Sequence, residues 1–146
     1  MSNKKIETWK GQVAKGKIIF VAAKVKTIHP VVDAIVKSLC EIDQIQYVRI
    51  SQEDIQASNE IKIKGRIKIP VSTTGHPSAV GVHLILDFAT DTIQFHEITS
   101  AVKGYGEKMV QTVMVGLPDD WEVCVVMDYS EGFWERMAEK YDRIEN

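Results

Sequence analysis

Between a β-rich stretch and an apolar-periodic run the chain reads AVKGYGEKMVQTVMVGLP, residues 101 to 118. Gly104 and Gly106 flank Tyr105, and Lys103 precedes them. Glycine permits positive φ and lets a ligand approach the backbone. A helix following such a turn offers unpaired N–H groups and the positive end of its dipole. Strand, glycine turn and helix N-terminus together suit a pyrophosphate, and Lys103 would add a charged contact. The same spacing also precedes ordinary helices, so the pattern alone leaves a plain turn open.

The elements that must position this turn follow from periodicity. KIIFVAAKV (17–25) is a mostly apolar, β-branched run and reads as a strand. IETWKGQV (6–13) can pair with it as a hairpin through the glycine of AKGK. HPVVDAIVKSLCEI (29–42) reads as a helix, with Pro30 at its first position and one apolar face of Val32, Ile35, Val36, Leu39 and Cys40. QYVRIS (46–51) is a weak strand and QEDIQAS (52–58) a short helix or turn. EIKIKGRIKIPV (60–71) alternates isoleucine with lysine or arginine, which predicts one half-buried strand with a bulge at Gly65. STTGHPSA (72–79) is a loop, VHLILDFA (82–89) a strand, and TIQFHEITS (92–100) its antiparallel partner.

After the glycine turn and its helix comes WEVCVVMD (121–128), apolar enough for a strand covered on both faces. A last helix follows. Asp128 and Glu131 form its capping box, and Phe133, Met137, Tyr141 and Ile144 form its buried stripe. The order is a meander and then a β-α-β crossover with a covering helix, which predicts a single mixed α/β domain over 1–146.

Length and composition fit that reading. The chain has 146 residues, 45% hydrophobic and 26% charged, with a net charge of −2. Bulk charge therefore gives no pull toward nucleic acid or anionic lipid. Cys40 and Cys124 sit among apolar neighbours at no metal-binding spacing. No apolar run approaches the roughly 20 residues of a membrane span, and MSNKKIETWKG lacks a signal-peptide core, so the expected setting is cytoplasmic, off the membrane.

AVKGYGEKM resembles motif A of the GNAT superfamily of N-acetyltransferases, Gln/Arg-x-x-Gly-x-Gly/Ala, which lies on the turn from the fourth strand to the third helix. It is closest to the histone-acetyltransferase form, Gln-Val-Arg-Gly-Tyr-Gly, whose last five positions correspond to Val102, Lys103, Gly104, Tyr105 and Gly106. DYSEGFWERMAEKY (128–141) is similar to motif B, in which an aromatic pair opens a helix after the fifth strand. The resemblance runs over roughly residues 17 to 141. It implies a GNAT-like fold of the α+β class, a mixed and mostly antiparallel sheet flanked by helices. The departures are Ala101 for the family's Gln/Arg, Phe133-Trp134 for Phe-Tyr, Ser130 as the small residue before that pair, and only DRIEN after the last helix. The family adds one or two strands there, so the expectation is a homodimer, or the N-terminal hairpin covering the open edge.

The implied chemistry is acyl transfer from acetyl-CoA to an amine, either a small molecule or a protein lysine or N-terminus. The coenzyme would lie along Ile98, Thr99, Val102, Lys103, Gly104, Tyr105, Gly106 and Glu107, and beside Phe133 and Trp134. Glu97, on the strand entering motif A, is the first choice of base, and His96 is the alternative because an imidazole titrates near neutrality. Neighbours on a strand face opposite ways, so only one of the two serves unless a bulge intervenes. Tyr129 is the candidate acid. His76 and His83 read as structural or solvated. The row Lys62, Lys64, Arg66, Lys68 reads as a solvated strand face, and with no interleaved aromatics it is a poor nucleic-acid surface. Ala101, Trp134 and the short C-terminus support a rival, a non-catalytic CoA-binding or interaction protein on the same fold.

Overall fold

The computed structural model describes residues 17–63, 65–68, 78–100, 104–125, 133–141 and 144–145. In chain order these form β1 (Ile18–Val21), α1 (Pro30–Leu39), β2 (Tyr47–Ile50), β3 (Asp54–Ser58), β4 (Ile61–Ile63), β5 (Arg66–Lys68), β6 (Val80–Asp87), β7 (Thr92–Ser100), α2 (Tyr105–Gly116), β8 (Glu122–Val125), α3 (Phe133–Lys140) and β9 (Ile144–Glu145). Seven strands make one sheet in the order β1-β2-β3-β6-β7-β8-β9, and β4-β5 stand apart as a hairpin. The central run β2-β3-β6-β7 is antiparallel. The flanking pairs β1-β2, β7-β8 and β8-β9 are parallel. The sheet is therefore mixed, and most of its paired residues are antiparallel.

Alternation decides which face is covered. Val48, Ile50, Ile55, Ala57, Val82, Leu84, Leu86, Ile93 and Phe95 share one face by register, and all are buried. They form one core with Val32, Ile35, Val36 and Leu39 of α1 and Met109, Val110 and Val113 of α2. Pro30 at the first position and His29 as cap start α1, with His29 Nδ1 accepting from the Val31 N–H at 3.1 Å. On the opposite face Ile18 and Phe20 are exposed and Asp54, Gln56 and His83 half-buried.

Three expectations need correction. Residues 54–58 are a strand, not a short helix or turn, because Ile55 and Ala57 fill the core while Asp54, Gln56 and Ser58 take the other face. The segment 60–71 is not one strand. Gly65 has φ 78°, and the chain folds back so that Ile61 pairs Lys68 and Ile63 pairs Arg66. Ile144 does not extend the last helix, which ends at Lys140. Ile144 pairs Val123 in β9, so the short C-terminal segment covers part of the β8 edge. The hairpin partner 6–13 and the capping box Asp128–Glu131 lie outside the described residues.

Burial also sets the reactivity of the thiols. It pushes Cys40 up from 9.0 to about 11, against a smaller opposing pull from Lys17. Native Cys40 should alkylate roughly 100-fold more slowly than an ordinary thiol, whereas half-buried Cys124 should react first. Mass spectrometry after iodoacetamide, with and without denaturant, checks the order; equal native rates would contradict it. Since the folded-state value is raised, this thiol's contribution to stability is complete below about pH 9 and is lost as pH climbs through about 11.

Candidate functional site

Of the residues the sequence singled out, His96, Glu97, Ile98 and Thr99 lie on β7. This strand pairs with β6 from Thr92↔Asp87 to Phe95↔Leu84, and resumes at Glu97↔His83. His96 is thus an extra residue, a β-bulge. The bulge shifts the alternation, so His96 and Glu97 are not forced onto opposite faces. Glu97 is half-buried and His96 exposed. The pairing of β7 with β8 is described as far as Phe95↔Val125, and β7 continues for five residues past that point.

Beyond Ser100 the chain reaches Gly104, the residue before α2, with φ 91°. That is the left-handed region, which glycine enters without a Cβ penalty. Among the described residues, a Cβ built there would meet nothing within 4 Å. Gly104 gives α2 no side-chain cap, and the first-turn N–H groups have no acceptor from it. Gly106 is different: a Cβ there would lie 3.3 Å from Phe133 Cε1, and α3 packs close because that atom is missing.

Two polar ties hold the start of α2. The Tyr105 hydroxyl donates to Asp43 Oδ1 at 2.7 Å, which lowers the Asp43 carboxyl and raises the phenol. Lys140 of α3 pairs with Glu107, and this bond raises the lysine. Lys108 Nζ lies 5.2 Å from the centroid of the Tyr105 ring. Tyr105 is therefore anchored to the loop after α1.

Of the remaining expected site residues, Ile98 is half-buried. Thr99 is buried, and among the described residues its Oγ1 has no hydrogen-bond partner. Phe133 is half-buried against Gly106, whereas Trp134 is 3% exposed and its ring lies tilted 5.0 Å from that of Phe95, inside the core. Ala101, Val102, Lys103, Tyr129, Ser130 and His76 lie outside the described residues.

Sequence reasoning missed one pair. His83, read as structural or solvated, has its Nε2 2.8 Å from Asp54 Oδ2 and its ring 5.0 Å from that of His96. The signal was hidden because Asp54 is 29 residues away on a strand that sequence did not identify. Among the described residues no three His, Cys, Asp or Glu side chains are placed to hold a metal ion. A shallow groove of about 330 Å3, lined by Glu53, Asp87, Thr92, Gln94 and Cys124 among others, sits at the opposite end of β7 from Gly104. No helix of the described residues is long and apolar enough to cross a membrane.

Comparison with known protein families, curated proteins and solved structures finds no match to this chain.

Proposed function

We propose that the protein is an acetyl-CoA-dependent N-acetyltransferase acting on an amine. The observation that carries this reading is the course of β7. It bulges at His96 just past its last described pairing with β8, presents Glu97 there, and runs on to a left-handed glycine and a helix with no side-chain cap. The turn suits the pyrophosphate of the coenzyme: Gly104 leaves room for close approach, and the α2 N–H groups supply donors and a positive dipole end. Bound acetyl-CoA would supply the thioester carbonyl that the amine attacks. Glu97 would take a proton from the acceptor ammonium, directly or through one water, and so expose the nitrogen lone pair. A backbone N–H of β7 would stabilise the oxyanion. The Asp43 and Lys140 ties keep the start of α2 in place for this work.

The binding half has a direct test. Acetyl-CoA at about 100 times its Kd should stabilise the fold by about 2.7 kcal/mol, a rise in Tm of roughly 5–10 °C for a chain of this size. Gly104→Val should remove that rise, since a branched side chain both strains a backbone at φ 91° and fills the approach. Reading the shift rather than Tm itself separates lost binding from lost stability. A wild-type protein that shows no shift with acetyl-CoA or CoA overturns the reading.

A non-catalytic CoA-binding protein on the same fold is favoured by Trp134, whose indole is buried against Phe95 and brings no hydroxyl to the site. A full thermal shift with no acetylation across an amine screen would select it.

A further inference from the structure

We propose that Asp54 and His83 form a proton relay behind Glu97, on a polar sheet face that takes a small hydroxylated amine. The inference rests on the acetyl-transfer reading for its electrophile; the dyad itself rests on geometry alone.

Register defines the face. Across β3, β6 and β7, Gln56, His83 and Glu97 lie in one row, and Ser58, Gly81 and Thr99 lie in the next. Cross-strand partners share a face, and this face is the reverse of the one that α1 and α2 cover. A solvated sheet face also carries polar residues, so polarity alone decides nothing. Three features go further. His83 is paired with Asp54 at 2.8 Å, and the two side chains are only 19% and 30% exposed. The bulge brings the His96 ring to within 5.0 Å of the His83 ring and sets Glu97 opposite His83. Among the described residues, Ser58 Oγ and Thr99 Oγ1 are buried and have no hydrogen-bond partner, on either side of a glycine that contributes no side chain. A buried hydroxyl without a partner is costly, and two of them flanking Gly81 mark a place that a polar ligand would complete. This row lies two residues along β6 from His83, or roughly 7 Å. That spacing selects an amine whose hydroxyl or amide groups sit about that far from its nitrogen.

The proton follows a defined path. A carboxylate only accepts, so Asp54 Oδ2 takes the Nε2–H of His83, and in the neutral ring Nδ1 is then the accepting nitrogen. The ammonium of the acceptor loses one proton to Glu97, and His83 Nδ1 takes it from Glu97 and passes it to water. The freed nitrogen forms the C–N bond as the C–S bond breaks. The second nitrogen proton goes to the departing thiolate, so one proton is released per acetyl transferred. The described charged and titratable groups around His83 are Asp54 from β3, His96 and Glu97 from β7 and, beyond Gln56, Arg49 from β2.

Three measurements test the proposal. His83→Gln keeps a donor toward Asp54 but cannot carry the proton. It should lower kcat roughly 10- to 100-fold, less than loss of the base itself, leave acetyl-CoA affinity unchanged, and remove one ionisation from the pH profile of kcat. A purely structural histidine would leave that profile intact, and an unchanged rate and profile overturns the relay. Should this variant not fold, Asp54→Asn takes its place: it should lower kcat in the same direction at unchanged acetyl-CoA affinity, and an unchanged kcat overturns the relay. Thr99→Val replaces the unpaired hydroxyl by a methyl; it should raise the KM of the amine several-fold at constant kcat, and an unchanged KM with Ser58→Ala also silent overturns the substrate face. Nitrogen-15 NMR of the imidazoles reads the dyad without any activity. A proton on Nε2 of His83 that moves in Asp54→Asn supports it, and a proton on Nδ1 overturns it. If no amine is acetylated, the acetyl-transfer reading fails, and the tautomer still decides the dyad.

Discussion

Replacing Glu97 by Gln should lower turnover by roughly 10²- to 10⁴-fold, the usual contribution of a positioned base, while acetyl-CoA affinity stays close to wild type. The substitution keeps shape and one hydrogen-bonding oxygen but cannot take a proton. Raising the pH should restore part of the rate, because more of the acceptor is then neutral before it binds. The bulge sharpens the comparison with His96, since both residues can serve the same side of the sheet. If the imidazole is the base, His96→Gln carries the loss and Glu97→Gln does almost nothing. If both variants retain full activity, the base assignment fails and the reaction proceeds by proximity and oxyanion stabilisation alone.

The largest expected effect on stability is at Phe95. Its side chain is 1% exposed and packs against Trp134 across 5.0 Å, joining α3 to the centre of the sheet. Phe95→Ala should cost about 3–5 kcal/mol, the range for truncating a buried aromatic. That is a large part of the 5–15 kcal/mol typical of a domain. Urea unfolding followed by tryptophan fluorescence measures it. Val115→Ala, at a residue 75% exposed on α2, is the matched control and should move stability by less than about 0.5 kcal/mol. A loss below 1 kcal/mol at Phe95 would mean that Trp134 is not anchored where it stands.

Where burial dictated residue type, sequence was a good guide. The stripe of α1 and its Pro30 start were plain in the letters, and β7 runs from 92 to 100 as alternation predicts. The fold class followed from that pattern. The failures have separate causes. In β3 the only apolar signals are Ile55 and Ala57, because Asp54, Gln56 and Ser58 face the polar side of the sheet. The strand was unreadable for the same reason that it contributes to a candidate site. The bulge did leave a sign in the letters: the apolar alternation of Ile93 and Phe95 resumes only at Ile98, after two polar residues, His96 and Glu97, and the register against β6 shows the extra residue there. The hairpin at 61–68 imitates a single strand because isoleucine and lysine alternate on both sides of Gly65.

The central sheet also imposes an order of assembly. Four residues, 88–91, join β6 to β7, and Asp87 steadies that turn by accepting from the Ala89 and Thr90 N–H groups at 2.9 and 3.3 Å. Twenty-one residues, 59–79, separate β3 from β6. Closing the longer loop costs about 1.5 kcal/mol more in chain entropy, and pairings of low sequence separation are favoured early. His83, His96 and Glu97 are neighbours as soon as the β6-β7 hairpin forms, whereas Asp54 arrives only when β3 docks. On that order the carboxylate paired with His83 is the last member of the group to take its place, so the proposed relay would require a complete central sheet.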